Sequence, residues 1–236
     1  MKLLDLVPVT TPGLITPEME DYINKYLSAD TQMDVVQITE GTASIECEYD
    51  EAMCAPDIIA KCIEAEKQGY EGVFINCFGD PGVRAARECV NIPVFGGFEP
   101  VMLLAMGMAD RVAIVTVLPN VLPLIRGGIA KAHLGDRVAC VRSVDIPVLE
   151  LSSHEKLCNA VYEESLKAIR EDGAEAIVLG CTAMVDVTET VQARLHEAGY
   201  CVPVLEAAQS AVMMLELTAK MGLRQSRITY MPVPQK

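Results

Sequence analysis

The sequence predicts an α/β fold built as two pseudo-symmetric domains. Each is expected to be a short, mostly parallel sheet flanked by helices, with the functional site in the cleft between them. Three observations predict it. Short apolar runs alternate with longer helical stretches along all 236 residues, as in strand–helix–strand units. The pattern restarts near residue 111, and a shift of about 105 residues overlays the two halves. In each half an apolar run delivers a cysteine into a small-residue turn: Ile75-Asn76-Cys77-Phe78-Gly79-Asp80-Pro81-Gly82 and Leu179-Gly180-Cys181-Thr182-Ala183-Met184.

The elements follow in order. Leu3 to Thr10 is a near-continuous apolar run, which suits a strand covered on both faces. Thr16-Pro17 starts a helix to about Leu27, with proline at the first helical position and Glu18 and Glu20 in its first turn. A strand from Thr31 to Thr39 leads to the small-residue turn Gly41-Thr42-Ala43-Ser44-Ile45. Asp50 to Lys67 is a helix in which Pro56 is expected to make a kink or mark the true start. Gly72 to Asn76 is the strand that delivers Cys77, and Asp80 is expected to cap the short helix Pro81 to Cys89. A strand at Pro93 to Gly96 and a helix from Glu99 to Met108 complete this half.

The second half opens with a strand from Arg111 to Thr116, a helix from Pro119 to Ala132 and a strand from Arg137 to Val144. Ser152-Ser153-His154-Glu155 fits a capping box that opens a helix to about Asp172, stopped by Gly173. Ala176 to Leu179 delivers Cys181. A helix from Val187 to Ala198, a strand at Pro203 to Leu205 and a helix from Gln209 to Met221, ended by Gly222, follow. The tail beyond Arg224 is expected to be irregular or a short extra strand. The repeat aligns Thr10, 67 residues before Cys77, with Thr116, 65 residues before Cys181. The domains are read as 1–98 and 99–206.

Composition narrows the function. A net charge of −14 argues against a nucleic-acid or anionic-membrane surface, either of which needs a basic patch. No apolar run approaches the roughly 18 residues of a membrane span, and Asp5 interrupts the only N-terminal run that resembles a signal peptide. Nine cysteines, an odd number without Cys-x-x-Cys spacing, read as reduced thiols of a cytoplasmic protein and give no metal site. A small-molecule substrate is the expected partner, together with assembly into a homo-oligomer.

The paired cysteines carry the chemistry. A thiol placed at a strand end and followed by a helix sits near outward-pointing N–H groups, which favour thiolate. Inverting a carbon next to a carbonyl needs one group to remove a proton and another to deliver one to the opposite face. Two cysteines can do this because a perturbed thiol titrates near neutrality. Thr10, Ser44, Thr116 and Thr182 end strands or turns on the same predicted edge and are candidate substrate contacts, with Phe78 and Gly79 beside Cys77. The other seven cysteines lack the strand-to-turn setting and read as core residues or as exposed by chance. His133, His154 and His196 are expected to be solvated and away from both cysteine turns.

Taken together, the duplicated frame and its paired cysteines resemble the aspartate/glutamate/hydantoin racemase superfamily over essentially the whole chain. Asn76-Cys77-Phe78-Gly79-Asp80-Pro81-Gly82, with Arg84-Ala85-Ala86-Arg87-Glu88 after it, is similar to the hydantoin and allantoin racemase branch. The resemblance implies a cofactor-independent racemase with Cys77 and Cys181 as its two bases. It also implies a last helix (207–236) that joins the first domain. Amino-acid racemase branches typically carry Asn-Thr after the first cysteine and Thr-His after the second. Phe78-Gly79 and Thr182-Ala183 stand there instead, which favours a 5-substituted hydantoin or allantoin-like ring over free aspartate or glutamate. The alternatives are an amino-acid racemase, an enzyme like maleate isomerase or arylmalonate decarboxylase, and a non-catalytic ligand-binding protein.

Overall fold

The computed structural model describes residues 1–234. Two compact units divide the chain: Met1–Gly97 with the segment from Ala211 onward, and Phe98–Ser210. Among the described residues, no helix is long and apolar enough to cross a membrane.

The first unit is organised by β1 (Lys2–Val7), whose side chains from Leu3 to Val7 are all buried. A strand covered on both faces needs such a run. It lies between β2 (Gln32–Gln37) and β3 (Val73–Ile75), with β4 (Val94–Phe95) outside β3, and every pairing is parallel. Leu4, Leu6, Val73 and Ile75 pack on one face against Cys54, Ile58 and Cys62 of α2 (Glu48–Lys67) and Val83 and Ala86 of α3 (Val83–Cys89). The opposite face carries Leu3, Asp5, Val7 and Phe74. There Leu215 packs beside Leu3 and Gly72 so closely that a Cβ at Gly72 would lie 2.8 Å from the leucine.

The second unit repeats this plan. β5 (Val112–Thr116) lies between β6 (Val138–Ser143) and β7 (Ala176–Leu179), β8 (Val204–Leu205) lies outside β7, and all pairings are again parallel. The remaining helices are α1 (Pro17–Asn24), α4 (Phe98–Met106), α5 (Leu122–Lys131), α6 (His154–Asp172), α7 (Thr188–Glu197) and α8 (Ala207–Lys220). Thr16 caps α1 by accepting a hydrogen bond from the Met19 N–H. Left-handed glycines follow α6 at Gly173 and α8 at Gly222, as C-terminal stops require.

Four local expectations are corrected. Helix α2 begins at Glu48 and runs through Pro56, so the proline does not mark its start. An internal proline costs about 3 kcal/mol. The buried stripe Cys54, Ile58, Cys62 and Ala65 brackets it and supplies the compensating packing. The capping box at Ser152 is not made: Ser153 is the N-cap, without a side-chain bond, so Glu155 stands one position too early to reach back. Helix α3 starts at Val83 behind a left-handed Gly82, so Asp80 is not its cap. The tail adds no strand through residue 234. Instead Arg227 donates to the carbonyls of Arg87 and Val90 and to Asn91 Oδ1, and the Tyr230 hydroxyl accepts from Arg84 and Arg87, which straps the tail to α3.

The hydrogen bonds also correct the repeat. The Asn76 N–H donates to Leu6 O at 2.9 Å and the Gly180 N–H donates to Val115 O at 2.7 Å. The Ile38 N–H donates to Val7 O, and the Val144 N–H to Thr116 O. Thr116 therefore corresponds to Val7, not Thr10. Between the matched bonds the connection from first to second strand is three residues longer in the first unit (Val7 to Ile38 against Thr116 to Val144), a difference that counting residues back from the cysteine does not reveal.

Space at two glycines gives an opposed pair of expectations. A Cβ at Gly180 would meet Ile114 Cγ2 at 2.8 Å and Thr116 Cβ at 3.0 Å, whereas one at Gly127 in α5 meets nothing within 4 Å. Gly180→Ala is expected to lower unfolding free energy by roughly 1–3 kcal/mol through overpacking. Gly127→Ala is expected to raise it by roughly 0.5–1 kcal/mol through helix propensity. Urea denaturation of both variants checks the pair.

Candidate active site

Parallel pairing puts the carboxyl ends of all strands of a sheet on one edge, the edge where open α/β sheets hold ligands. In the first unit that edge is built by the segments after β1, β2 and β3. Cys77 leaves β3 in a tight turn: its N–H donates to Ile75 O at 2.7 Å, and its carbonyl accepts from Gly97 N at 2.9 Å. Asp80 (φ 56°) and Gly82 (φ 68°) are both left-handed, so five residues separate the cysteine from α3. The helix therefore starts two residues later than the expected Pro81, which lengthens the turn between the thiol and the helix. Gly96 closes the turn from the other side, because a Cβ there would overlap Asp80 Oδ1.

Cys77 and Gly79 are half-buried, and Phe78 is buried, 4% exposed. Thr10 and Ser44 come together on the same edge. The Thr10 N–H donates to Thr42 O at 2.9 Å, the Thr11 hydroxyl to Ala43 O at 2.5 Å and the Thr42 hydroxyl to Ser44 O at 2.7 Å. These bonds zip the loop after β1 to the loop after β2.

In the second unit Cys181 and Thr182 are half-buried in the turn after β7. Thr116 is fully buried, and its hydroxyl donates to Gly180 O at 2.9 Å. That bond fixes the peptide immediately before Cys181, so the hydroxyl serves the turn. His154 is not remote from this turn. Its Nε2–H donates to Asp186 O at 3.0 Å and thereby holds the loop between Cys181 and α7, while its ring lies 3.6 Å from Cys158 Sγ. His133 and His196 are exposed.

Two buried carboxyl groups escape the sequence reading. Glu206 follows β8, is 2% exposed and stands beside the end of β7, where the first unit has Gly96. Asp5 lies in the middle of β1, fully buried, and its Oδ2 accepts from Asn76 Nδ2 at 3.0 Å. Its Oδ1 has no partner among the described residues. Burial pushes the Asp5 carboxyl up to about 7, with the Asn76 bond pulling it part of the way back. The signal was an aspartate inside Leu3-Leu4-Asp5-Leu6-Val7, where every neighbour demands burial. Asp5 enters the sequence reading only as a break in an apolar run.

Among the other thiols, burial pushes Cys62 and Cys140 up to about 12, which makes them inert at neutral pH. None of the nine cysteines is joined in a disulfide. No group of three or more metal-ligating side chains occurs among the described residues.

Residues 13–215 match the family model described as Asp/Glu/Hydantoin racemase. The chain belongs to the Asp/Glu/hydantoin racemase family. Membership places it among racemases, a class of isomerase. It is 31% identical to a hydantoin racemase of Pseudomonas sp. (strain NS671), over 100% of this chain and 93% of that protein. It is 32% identical to a hydantoin racemase of Rhizobium meliloti, over 88% of this chain and 84% of that one. Among solved structures it resembles the allantoin racemase from Klebsiella pneumoniae, with a TM-score of 0.88, 32% identity, and coverage of 100% of this chain and 94% of that one.

The raised Asp5 pKa has a defined consequence for stability. At pH values below about 4 the carboxyl is protonated folded or unfolded, and burial of its charge costs nothing. As pH climbs toward 7 the unfolded chain ionises first and stability falls, levelling off above 7 with a total loss of about 4 kcal/mol. Asp5→Asn removes this dependence. Its stability relative to wild type is expected to be greater at pH 8 than at pH 5 by roughly 2–3 kcal/mol, checked by urea unfolding at both values.

Proposed function

We propose that this racemase inverts a carbon next to a carbonyl on a 5-substituted hydantoin or allantoin-like ring, with Cys77 and Cys181 as its two acid/base groups. The reading is carried by one observation. Each cysteine leaves the strand next to the central one, in two sheets of the same order, and the residue before it pairs with the same backbone position, Leu6 O in one case and Val115 O in the other. Likeness to hydantoin racemases and to an allantoin racemase over nearly the whole chain supports the substrate class.

In this mechanism one sulfur, as thiolate, takes the ring proton. The carbanion is held as an enolate, its charge carried onto the adjacent carbonyl oxygen by hydrogen-bond donors. The other sulfur, as thiol, delivers its proton to the opposite face of the carbon. The protein regains its starting state when the two sulfurs exchange their protonation, which solvent accomplishes. Thr10, Ser44, Gly79 and Thr182 lie on the strand-end edges and are proposed to orient the ring. Phe78 and Thr116 are buried behind them and are proposed to shape and hold the edge.

A polarimetric comparison of 5-substituted hydantoins, allantoin, aspartate and glutamate tests the substrate class. Racemisation is expected on the ring substrates, with deuterium entering the inverted carbon from D2O. Cys77→Ser and Cys181→Ser are each expected to lower kcat/KM by roughly 100-fold or more. Full activity in either variant would rule out the two-cysteine mechanism.

A further inference from the structure

The two cysteine turns are built alike in backbone and unlike in what lies beneath them. Where the first unit has Asn76, the second has Gly180, and where the first has Asp5, the second has Ile114. Both equivalences follow from the matched bonds of Asn76 to Leu6 and Gly180 to Val115. In the second unit the peptide before Cys181 is gripped through its carbonyl by the Thr116 hydroxyl. Val7 takes that place in the first unit and has no hydroxyl to offer. The peptide before Cys77 is instead tied down through the Asn76 side chain, whose amide donates to Asp5.

We infer that Asp5, acting through Asn76, is a positioning residue that sets the orientation of Cys77 and makes its reactivity depend on whether the Asp5 carboxyl carries a proton. The physical basis is the strength of one buried hydrogen bond. An ionised Asp5 accepts a charge-assisted bond from Asn76, and such bonds are about twice as strong as neutral ones. A protonated Asp5 holds the amide more weakly. The backbone N–H groups of Asn76 and Cys77 are already committed to Leu6 and Ile75. The Asn76 side chain is thus the adjustable tie on the turn.

The surroundings give Asp5 this switch to itself. β2 brings Asp34, which is taken up by Tyr70 and Lys2. α8 brings Glu216 and Lys220, which pair with each other and with Ser28 N and Asp30. α1 brings Glu18, Glu20 and Asp21, on a helix whose one buried residue is Ile23. α2 and α3 pack on the opposite face, behind Leu4 and Leu6. β3 brings only Cys77 at its end. The carboxyl of Asp5 is moved by burial and by Asn76, and by none of these charges, to a value of about 7.

The inference rests on reading Cys77 as an acid/base group, so its test is made independent of turnover. The full chain is treated with limiting iodoacetamide from pH 5.5 to 9, and the alkylation rates of Cys77 and Cys181 are read as a ratio from the same digest by mass spectrometry. Cys181, whose strand carries Ile114 where Asp5 stands, is the internal reference, and the buried Glu206 near its turn is common to all the proteins compared. In the wild type the ratio is expected to show a step of about threefold or more centred near pH 7. Asp5→Asn and Asn76→Ala, each confirmed folded by thermal unfolding, are expected to lack that step.

The same step in all three proteins would overturn the inference, as would a change in ratio that is constant at every pH. If Asp5→Asn does not fold, Asn76→Ala alone decides, because it breaks the same bond without altering the buried carboxyl. Polarimetry on the same samples separates the two readings. A wild type that shows the step but racemises no hydantoin refutes the substrate proposal and leaves this one standing.

Discussion

The structure depends on one repeated backbone contact, the N–H of the residue before each cysteine bonded to the penultimate position of the central strand. At Asn76–Leu6 and Gly180–Val115 this bond is the last rung before the chain leaves the sheet. Everything beyond it is turn, and everything behind it is fully buried strand. The rung therefore fixes where a thiol can stand to within the freedom of one peptide. The two units then restrict that last freedom by different means. Thr116 grips a carbonyl from beside a glycine that cannot bear a side chain. Asp5 grips a side chain that the glycine's counterpart does carry.

That difference has an energetic logic. In a close-packed strand layer, a position lined by Ile114 and Thr116 leaves no room for a Cβ at Gly180. The second unit meets the constraint by omission, with apolar packing and a neutral hydroxyl bond. The first unit fills the same level with a carboxyl and an amide, and keeps a fully buried acid as the cost. Burying a polar pair is unfavourable unless its bonds are satisfied, and Asp5 Oδ1 is not satisfied by any described residue. A residue kept at such expense beneath a candidate catalytic thiol is a natural place to look for control of that thiol.

Further from the site, the scaffold is held by ordinary means that the sequence displays plainly. The tail beyond α8 is an exception. Arg227 donates to three acceptors at the end of α3 and the turn after it, while Arg84 and Arg87 close on Tyr230. These contacts join residues more than 130 positions apart and give a short, seven-residue helix a second anchor near its C-terminal end.

Apolar runs bounded by proline and glycine determined the strands, because a doubly covered parallel strand must be apolar almost throughout. The restarting strand–helix pattern pointed to the duplication, and the strand-to-turn setting marked Cys77 and Cys181 as candidates among nine cysteines. The family likeness was legible in Asn76 to Gly82 and the helix after it. The tertiary structure alone decided the finer matters. It matched Thr116 with Val7, because register is set by hydrogen bonds and not by residue counts across loops. It carried α2 through Pro56, because packing on both sides outweighed a local rule. It gave Thr116 to the Cys181 turn and His154 to the loop behind it, because side-chain partners come from segments distant in sequence. Above all it turned Asp5 from a blemish in an apolar run into the acid beneath Cys77. The charge was visible in the sequence from the start, but its burial, its one partner and its raised pKa exist only once β1 and β3 lie side by side.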